Sequence, residues 1–272
     1  MKKKFLSLGL FIMIAVLMSC SKTDTTAVID LTPLQKQYAI MAEETSTTCS
    51  TCGSIGHTNF NLAKKNNSGK IVALAFHCNG PTDAMQSNLL FSYDGVHPPQ
   101  GSAIPAFYIG DHQIDLYSLQ PSIDSILRRV PEAGVKFSTK VVGNLMQVTA
   151  KVKFFKQVTG DYYVSFYLCE SGIDGSPTAP VGYVQTSGTA GYIHSNVVRA
   201  GNATSNAYGE KITKAATTPT GTVYDYTCNI TIDPTWKKNN IFVTSVIWKV
   251  NPDNSSSCRY LFVNGWDAQV YN

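Results

Sequence analysis

The chain has 272 residues, of which 43% are hydrophobic and 15% are charged, with 22 Lys and Arg against 18 Asp and Glu. The basic residues form no dense stripe with interleaved aromatic side chains, which argues against nucleic acid as a partner. This length and hydrophobic content suffice for two modest cores or one large core.

The N-terminus has the pattern of an export signal. Three lysines precede an apolar-rich stretch that ends at Met18 and is too short to span a bilayer comfortably. The run Leu17-Met18-Ser19-Cys20 resembles a lipobox, in which a cysteine after a small residue is acylated. We expect removal of residues 1–19 as a lipoprotein signal peptide and membrane attachment through a lipid on Cys20. An ordinary secretory signal and a single transmembrane anchor are the alternatives.

The exported chain begins with a polar tether and continues with alternating strands and helices. Residues 20–33 lack periodicity and are predicted to hold the folded part off the membrane. Residues 34–131 are predicted to form an α/β domain. Its predicted elements are strand Tyr38–Ala42, helix Ser54–Lys65, strand Ile71–Phe76, a short helix around Asp83–Leu90, strand Ala106–Ile109, strand Gln113–Tyr117 and helix Ser122–Arg129.

The second part of the chain, residues 132–272, has short apolar runs separated by turn residues. This spacing predicts an all-β, immunoglobulin-like or fibronectin-like sandwich. Residues 171–221 are rich in Gly, Thr, Ser and Ala and are predicted to be a long excursion with one short segment at Tyr192–Arg199. The predicted strands are Val135–Val141, Met146–Phe155, Tyr162–Cys169, Thr222–Ile232, Ile241–Lys249 and Arg259–Val263, with Val270 at an edge.

The sequence Cys49-Ser50-Thr51-Cys52 joins the first predicted strand to the first predicted helix. The N-terminus of a helix stabilises negative charge, which lowers the pKa of a cysteine placed there. We therefore expect Cys49 to be the nucleophile and Cys52 the more shielded thiol that resolves a mixed disulfide. A purely structural disulfide is an alternative.

The order of these motifs resembles the thioredoxin fold. A strand, a CxxC motif, a helix and a second strand are followed by Ile104-Pro105, a hairpin and a last helix. The resemblance implies that Pro105 is cis and faces the dithiol, and that the backbone of Ile104 pairs with an extended substrate. It also implies that Glu43 relays a proton for Cys52, with Glu44 as an alternative. Thr48 stands where this family usually has tryptophan.

A narrower resemblance covers the whole exported chain. The lipobox, the thioredoxin-like part, the segment from Tyr192 to Arg199 and the run Val263-Asn264-Gly265-Trp266 are together similar to the outer membrane protein 28-related lipoproteins. This resemblance implies a lipid-anchored protein of the outer membrane that faces the periplasm or the cell surface.

The remaining cysteines and histidines leave several alternatives open. Export favours disulfides, and a bridge among Cys169, Cys228 and Cys258 is plausible without a defined pairing. Zinc at the CxxC motif would need two further ligands, for which the nearest candidates are His57, His77 and Cys78. We favour a site without metal or cofactor. We interpret His194 and Arg199 as structural hydrogen-bonding residues, with a binding role as the alternative.

Two functions follow from these expectations. The first is thiol-disulfide exchange on exported proteins or with a redox partner, which would make the chain an enzyme. The second is a surface lipoprotein without catalysis, in which the thioredoxin-like part is a scaffold and the sandwich binds protein or glycan. Hydrolase, protease and nucleotide-binding motifs are missing from the sequence.

Overall fold

The computed structural model describes residues 29–253 and 259–266. The expected signal peptide, Cys20, Cys258 and Val270 lie outside the described residues. Within this part of the chain, the fold is mostly β-sheet with few helices. The described strands are β1 (Ala39–Thr45), β2 (Ile71–His77), β3 (Ala106–Ile109), β4 (His112–Ile114), β5 (Ala133–Val142), β6 (Leu145–Phe154), β7 (Val158–Thr159), β8 (Tyr162–Glu170), β9 (Ile173–Asp174), β10 (Ile193–His194), β11 (Val197–Gly201), β12 (Glu210–Lys211), β13 (Thr217–Thr218), β14 (Val223–Thr231), β15 (Ile241–Val250) and β16 (Tyr260–Trp266).

The helices lie mainly in the first half of the chain. A π-helical turn over Cys52–Gly56 leads directly into α1 (His57–Asn66). The other α-helices are α2 (Leu89–Asp94) and α3 (Leu119–Leu127), and short 3₁₀ turns lie at Gly80–Thr82, Gln100–Ser102, Leu116–Ser118 and Lys238–Asn240. Within the described residues, no helix combines the length and the apolar character needed to cross a membrane.

Some predicted boundaries are wrong, and side-chain hydrogen bonds explain two of them. The helix expected around Asp83–Leu90 begins at Leu89, because the Asp83 carboxylate accepts the Met85 N–H and stabilises a turn instead. The strand expected at Gln113–Tyr117 ends at Ile114, because Asp115 caps the next turn by accepting the N–H groups of Tyr117 and Ser118.

One sheet of nine strands combines strands from the first half of the chain, residues 34–131, with strands from the second half, residues 132–272. Eight of them lie in the order β16-β15-β8-β11-β2-β1-β3-β4, and β12 pairs with β8. β1 and β2 are parallel, whereas β3 is antiparallel to β1. The side chains of β2 are buried along its whole length, as expected for a central strand covered on both faces.

A second sheet packs against the part of the large sheet that comes from the second half. Its strand order is β14-β6-β5, and its apolar side chains share a core with β8 and β15. Residues from Leu31 onward group into one compact unit. The domain boundary at residue 131 stays a prediction, although the large sheet crosses it.

The junction between the two halves is the parallel pairing of β11 with β2. Val197 is aligned with Ala75, and the Ala75 N–H donates to the carbonyl of Asn196 at 2.8 Å. The buried Asn196 side chain donates to the carbonyl of Ala73 at 3.1 Å. Asn196 also has a left-handed backbone, with φ of 58°. Its amide therefore stabilises both the turn and the junction.

We expect Asn196→Ala to lower the free energy of unfolding by about 2–4 kcal/mol, because a buried carbonyl loses its donor and alanine resists the left-handed conformation. Asn196→Gly tolerates the positive φ and should cost about 1 kcal/mol less. Urea unfolding of both variants measures this difference. Equal losses would show that the backbone conformation contributes nothing.

Candidate functional site

Cys49 and Cys52 form a disulfide at the start of the first helix. Cys49 is half-buried, whereas Cys52 is only 1% exposed. The Cys52 N–H donates to Cys49 Sγ at 3.1 Å, and Thr51 Oγ1 lies 3.3 Å from the same sulfur. These two donors would stabilise a thiolate on Cys49 after reduction. The accessible sulfur is therefore also the one with hydrogen-bond donors nearby.

The Ile104-Pro105 segment lies against the dithiol. The Ile104–Pro105 peptide bond is cis, and the Ile104 carbonyl oxygen lies 3.6 Å from Cys49 Sγ. A Cβ added to Gly56 would lie 3.1 Å from the Pro105 ring and 2.8 Å from Glu43 Oε1. The absence of a side chain at Gly56 thus allows the helix, Pro105 and Glu43 to meet behind the disulfide.

Glu43 and Glu44 lie on opposite faces of β1, because successive side chains of a strand alternate. Glu43 is 4% exposed, and its Oε1 has no hydrogen-bond partner. Burial raises the pKa of Glu43 to about 8, although the Lys64 ammonium opposes this shift. On the other face, burial and the neighbouring Asp94 carboxyl raise the pKa of Glu44 to about 9. Glu43 is the acid on the dithiol side.

A small cavity joins Glu43 to the buried cysteine. It has a volume of about 20 Å³, and its walls include Glu43, Cys52, His57, His77 and His194. A cavity of this size holds about one water molecule. Burial and the His77 ring beside it lower the pKa of His194 to about 4. His194 is therefore neutral at pH 7, and Glu43 is the carboxyl group that shares this cavity with Cys52.

The histidines around this cavity have structural partners. Nε2 of His194 lies 2.8 Å from the Tyr183 carbonyl, and the His57 ring packs on Tyr192 with 4.3 Å between ring centroids. His77 Nδ1 lies 2.8 Å from Asp83 Oδ2. Within residues 29–253 and 259–266, no group of three or more His, Cys, Asp or Glu side chains could hold a metal ion.

Arg199, the other polar residue singled out in the sequence, contacts Glu170 and Trp236. Its Nε is 3.5 Å from a Glu170 carboxylate oxygen, and its guanidinium packs on the Trp236 ring at 4.9 Å. Both charged side chains are almost fully buried. These contacts are an ion pair and a ring contact, and the hydrogen-bonding role expected for Arg199 stays a prediction.

The loop before Cys49 is held by small polar side chains. Asn79 Nδ2 donates to Ser46 Oγ at 2.9 Å and to Thr48 Oγ1 at 3.0 Å. Asn79 itself has a left-handed φ of 86°. The Thr48 hydroxyl therefore fixes the approach to Cys49, although it presents no apolar ring to a partner.

The excursion between β8 and β11 also reaches the dithiol, which the sequence did not indicate. Residues 175–194, here termed the strap, lie beside the loop that carries Cys49. Thr186 N–H donates to the Thr47 carbonyl at 2.7 Å, and Gln185 Nε2 donates to the Cys49 carbonyl at 2.9 Å. Gln185, Tyr192 and His194 are site residues from the second half of the chain.

The remaining cysteines lie apart from the dithiol disulfide. Within the described residues, no disulfide joins Cys78, Cys169 or Cys228. Burial, followed by the carboxyl groups of Glu44, Asp94 and Asp83, raises the pKa of Cys78 to about 11. Burial raises the pKa of Cys228 to about 12. Both thiols are therefore protonated and unreactive at neutral pH.

As the pH increases, the Glu43→Gln variant should become more stable relative to the unchanged chain. In the folded chain, the pKa of Glu43 is raised from 4.5 to about 8. The stability that Glu43 contributes is therefore complete below pH 4.5 and is lost progressively as the pH rises to about 8. The difference between the two proteins should grow by about 1.4 kcal/mol per pH unit across this window. Urea unfolding of the oxidised proteins at pH 4, 6 and 8 measures it.

Glu44→Gln is the matched control for this experiment. It removes a buried carboxyl of raised pKa from the same strand, so it should change the pH dependence of stability in the same direction. Alkylation of Cys52 in the reduced chains distinguishes the two variants, because Glu44 lies on the opposite face of β1 and its replacement should leave the reactivity of Cys52 unchanged. A constant difference between Glu43→Gln and the unchanged chain from pH 4 to 8 would contradict the raised pKa.

Comparisons with known proteins find a solved structure of similar fold but no family. No family model matches the chain, and no curated protein matches it. Among solved structures, the chain is similar to HBP35 of Porphyromonas gingivalis, with a TM-score of 0.66 and 13% sequence identity. The match covers 86% of this chain and 75% of that chain. At this identity, the similarity concerns the fold alone.

Proposed function

We propose that the chain is a thiol-disulfide exchange protein of the cell envelope and that Cys49 is its nucleophile. The observation that carries this proposal is the setting of Cys49 Sγ, which has the Cys52 N–H at 3.1 Å and the Ile104 carbonyl at 3.6 Å. The first group stabilises a thiolate, and the second is a backbone acceptor for an extended substrate beside the sulfur.

The proposed reaction transfers two electrons. With the pair reduced, the Cys49 thiolate attacks one sulfur of a substrate disulfide, forms a mixed disulfide and releases the other substrate sulfur as a thiolate that takes a proton. Cys52 then loses its proton and attacks Cys49 Sγ, which releases the second substrate thiol. Cys49 and Cys52 become the disulfide and the substrate is reduced. The reverse sequence oxidises a substrate dithiol.

Glu43 is the proposed acceptor for the Cys52 proton. It shares the small cavity with Cys52, and its pKa of about 8 lies close to that of a thiol. Proton transfer between groups of similar pKa costs little free energy. A single water molecule in the cavity would suffice to connect the two groups.

The proposal includes a thioredoxin-like arrangement in the first half. Parallel β1 and β2, the antiparallel β3–β4 hairpin and the closing helix α3 support it. The facing of β5, β6 and β14 with β8 and β15 supports a sandwich-like second half. Membership of the outer membrane protein 28-related lipoproteins is part of the same proposal.

Cys52→Ala should trap the mixed disulfide, since the resolving thiol is missing. We expect turnover in an insulin-reduction assay to be abolished, while a glutathione adduct accumulates on Cys49 and is detected by mass spectrometry. Cys49→Ala should abolish both turnover and adduct. Cys228→Ala, which removes a half-buried thiol in the second half, is the matched control and should retain activity.

The same assay separates exchange from a scaffold role. If the unchanged chain shows no turnover that depends on Cys49, the disulfide is structural. That outcome would favour the alternative, a surface lipoprotein whose second half binds protein or glycan.

We further propose that a lipid on Cys20 anchors the protein in the outer membrane, facing the periplasm or the cell surface. The lipobox-like run before Cys20 supports this location. In a Gram-negative bacterium that expresses the chain, Cys20→Ala should abolish incorporation of labelled palmitate and move the protein out of the membrane fraction. A Cys20→Ala protein that still carries label would contradict the anchor. Ser21→Ala is the control that should leave labelling unchanged.

A further inference from the structure

Gln185 connects the strap to the turn that carries the nucleophile. Its side chain is only 2% exposed, and Nε2 donates to the carbonyls of Cys49 at 2.9 Å, Ser46 at 3.1 Å and Thr186 at 3.3 Å. These three carbonyl oxygens fix the orientation of the Gln185 amide. If the amide were reversed, its oxygen would face three acceptors and no donor. A hydrogen-bond donor is therefore required at this point.

The Cys49 carbonyl is also where the helix begins. It accepts the Gly53 N–H at 3.2 Å in addition to the Gln185 amide. The geometry of this turn sets the direction of the Cys52 N–H, which donates to Cys49 Sγ. Gln185 thus acts on the turn that supplies the main donor to the sulfur.

Close packing at Gly53 holds the strap in place. A Cβ added to Gly53 would lie 2.5 Å from the Thr186 carbonyl oxygen and 2.6 Å from Gln185 Cγ. The Thr186 N–H also donates to the Thr47 carbonyl at 2.7 Å. The strap therefore has little freedom to move away from the dithiol while the turn keeps this shape.

We propose that Gln185 is a positioning residue that increases the reactivity of the reduced Cys49 thiol by holding the turn of residues 46–53. Its amide ties two carbonyls of this turn to the strap and so keeps the Cys52 N–H directed at the sulfur. The nucleophile of the first half thus depends on a side chain of the second half. The functional meaning of this inference rests on the proposed exchange reaction.

Gln185→Met tests the inference, because methionine has a similar length and no donor. In the reduced chain of residues 21–272, the rate of Cys49 alkylation by iodoacetamide is measured from pH 5 to 10 and assigned to Cys49 by mass spectrometry. We expect the pH profile to shift upwards and the rate at pH 7 to fall about fivefold, as for the loss of one hydrogen bond. Gln185→Glu places an oxygen against the same carbonyls and should shift the profile further.

Gln157→Glu, between β6 and β7, is the control for added charge and should leave the profile unchanged. Urea unfolding of each variant separates positioning from folding. A variant with lower stability but an unshifted pH profile would overturn the inference. A shifted profile in a chain without insulin reductase activity would support the positioning role and contradict the proposed function instead.

Discussion

The pairing of β11 with β2 is the contact on which the arrangement of the dithiol depends. It inserts a strand of the second half beside a central strand of the first, with Val197 against Ala75. Since Val197 is also aligned with Glu170 at the end of β8, residues 171–196 form a closed excursion from the sheet. The strap belongs to this excursion. A different pairing of β11 would remove Gln185 from the site.

Three parts of the chain pack closely against the short stretch of helix at the dithiol: the strap, Pro105 and Glu43. Gly53 admits the strap on one side, and Gly56 admits Pro105 and Glu43 on the other. The helix has π geometry over this stretch, a deviation that is frequent at functional sites. Because Gly53 and Gly56 have no side chains, their neighbours can pack directly against the helix. This packing explains how Cys52 can be buried while Cys49 remains partly accessible.

The sequence predicted the local features of the site better than the distant ones. The CxxC motif and Ile104-Pro105 carry recognisable patterns, and the alternation of side chains along β1 separates Glu43 from Glu44. Gln185 lies 136 residues from Cys49 in a stretch rich in Gly, Thr and Ser, where no periodicity marks a contact. The shared sheet was equally hidden: Ala75 belongs to a predicted strand, whereas Val197 belongs to a short segment for which no strand was predicted, and neither pattern indicates its neighbour.

Because Gln185 follows Cys49 by 136 residues, it is synthesised later than the cysteine. A ribosome adds roughly 5–20 residues per second, so the amide emerges about 7–27 s after the cysteine across their separation of 136 residues. During this interval both thiols exist without the strap. A chain that still lacks its second half therefore has no Gln185 amide at the Cys49 carbonyl, and the dithiol turn gains this support only after residues 175–194 have been made.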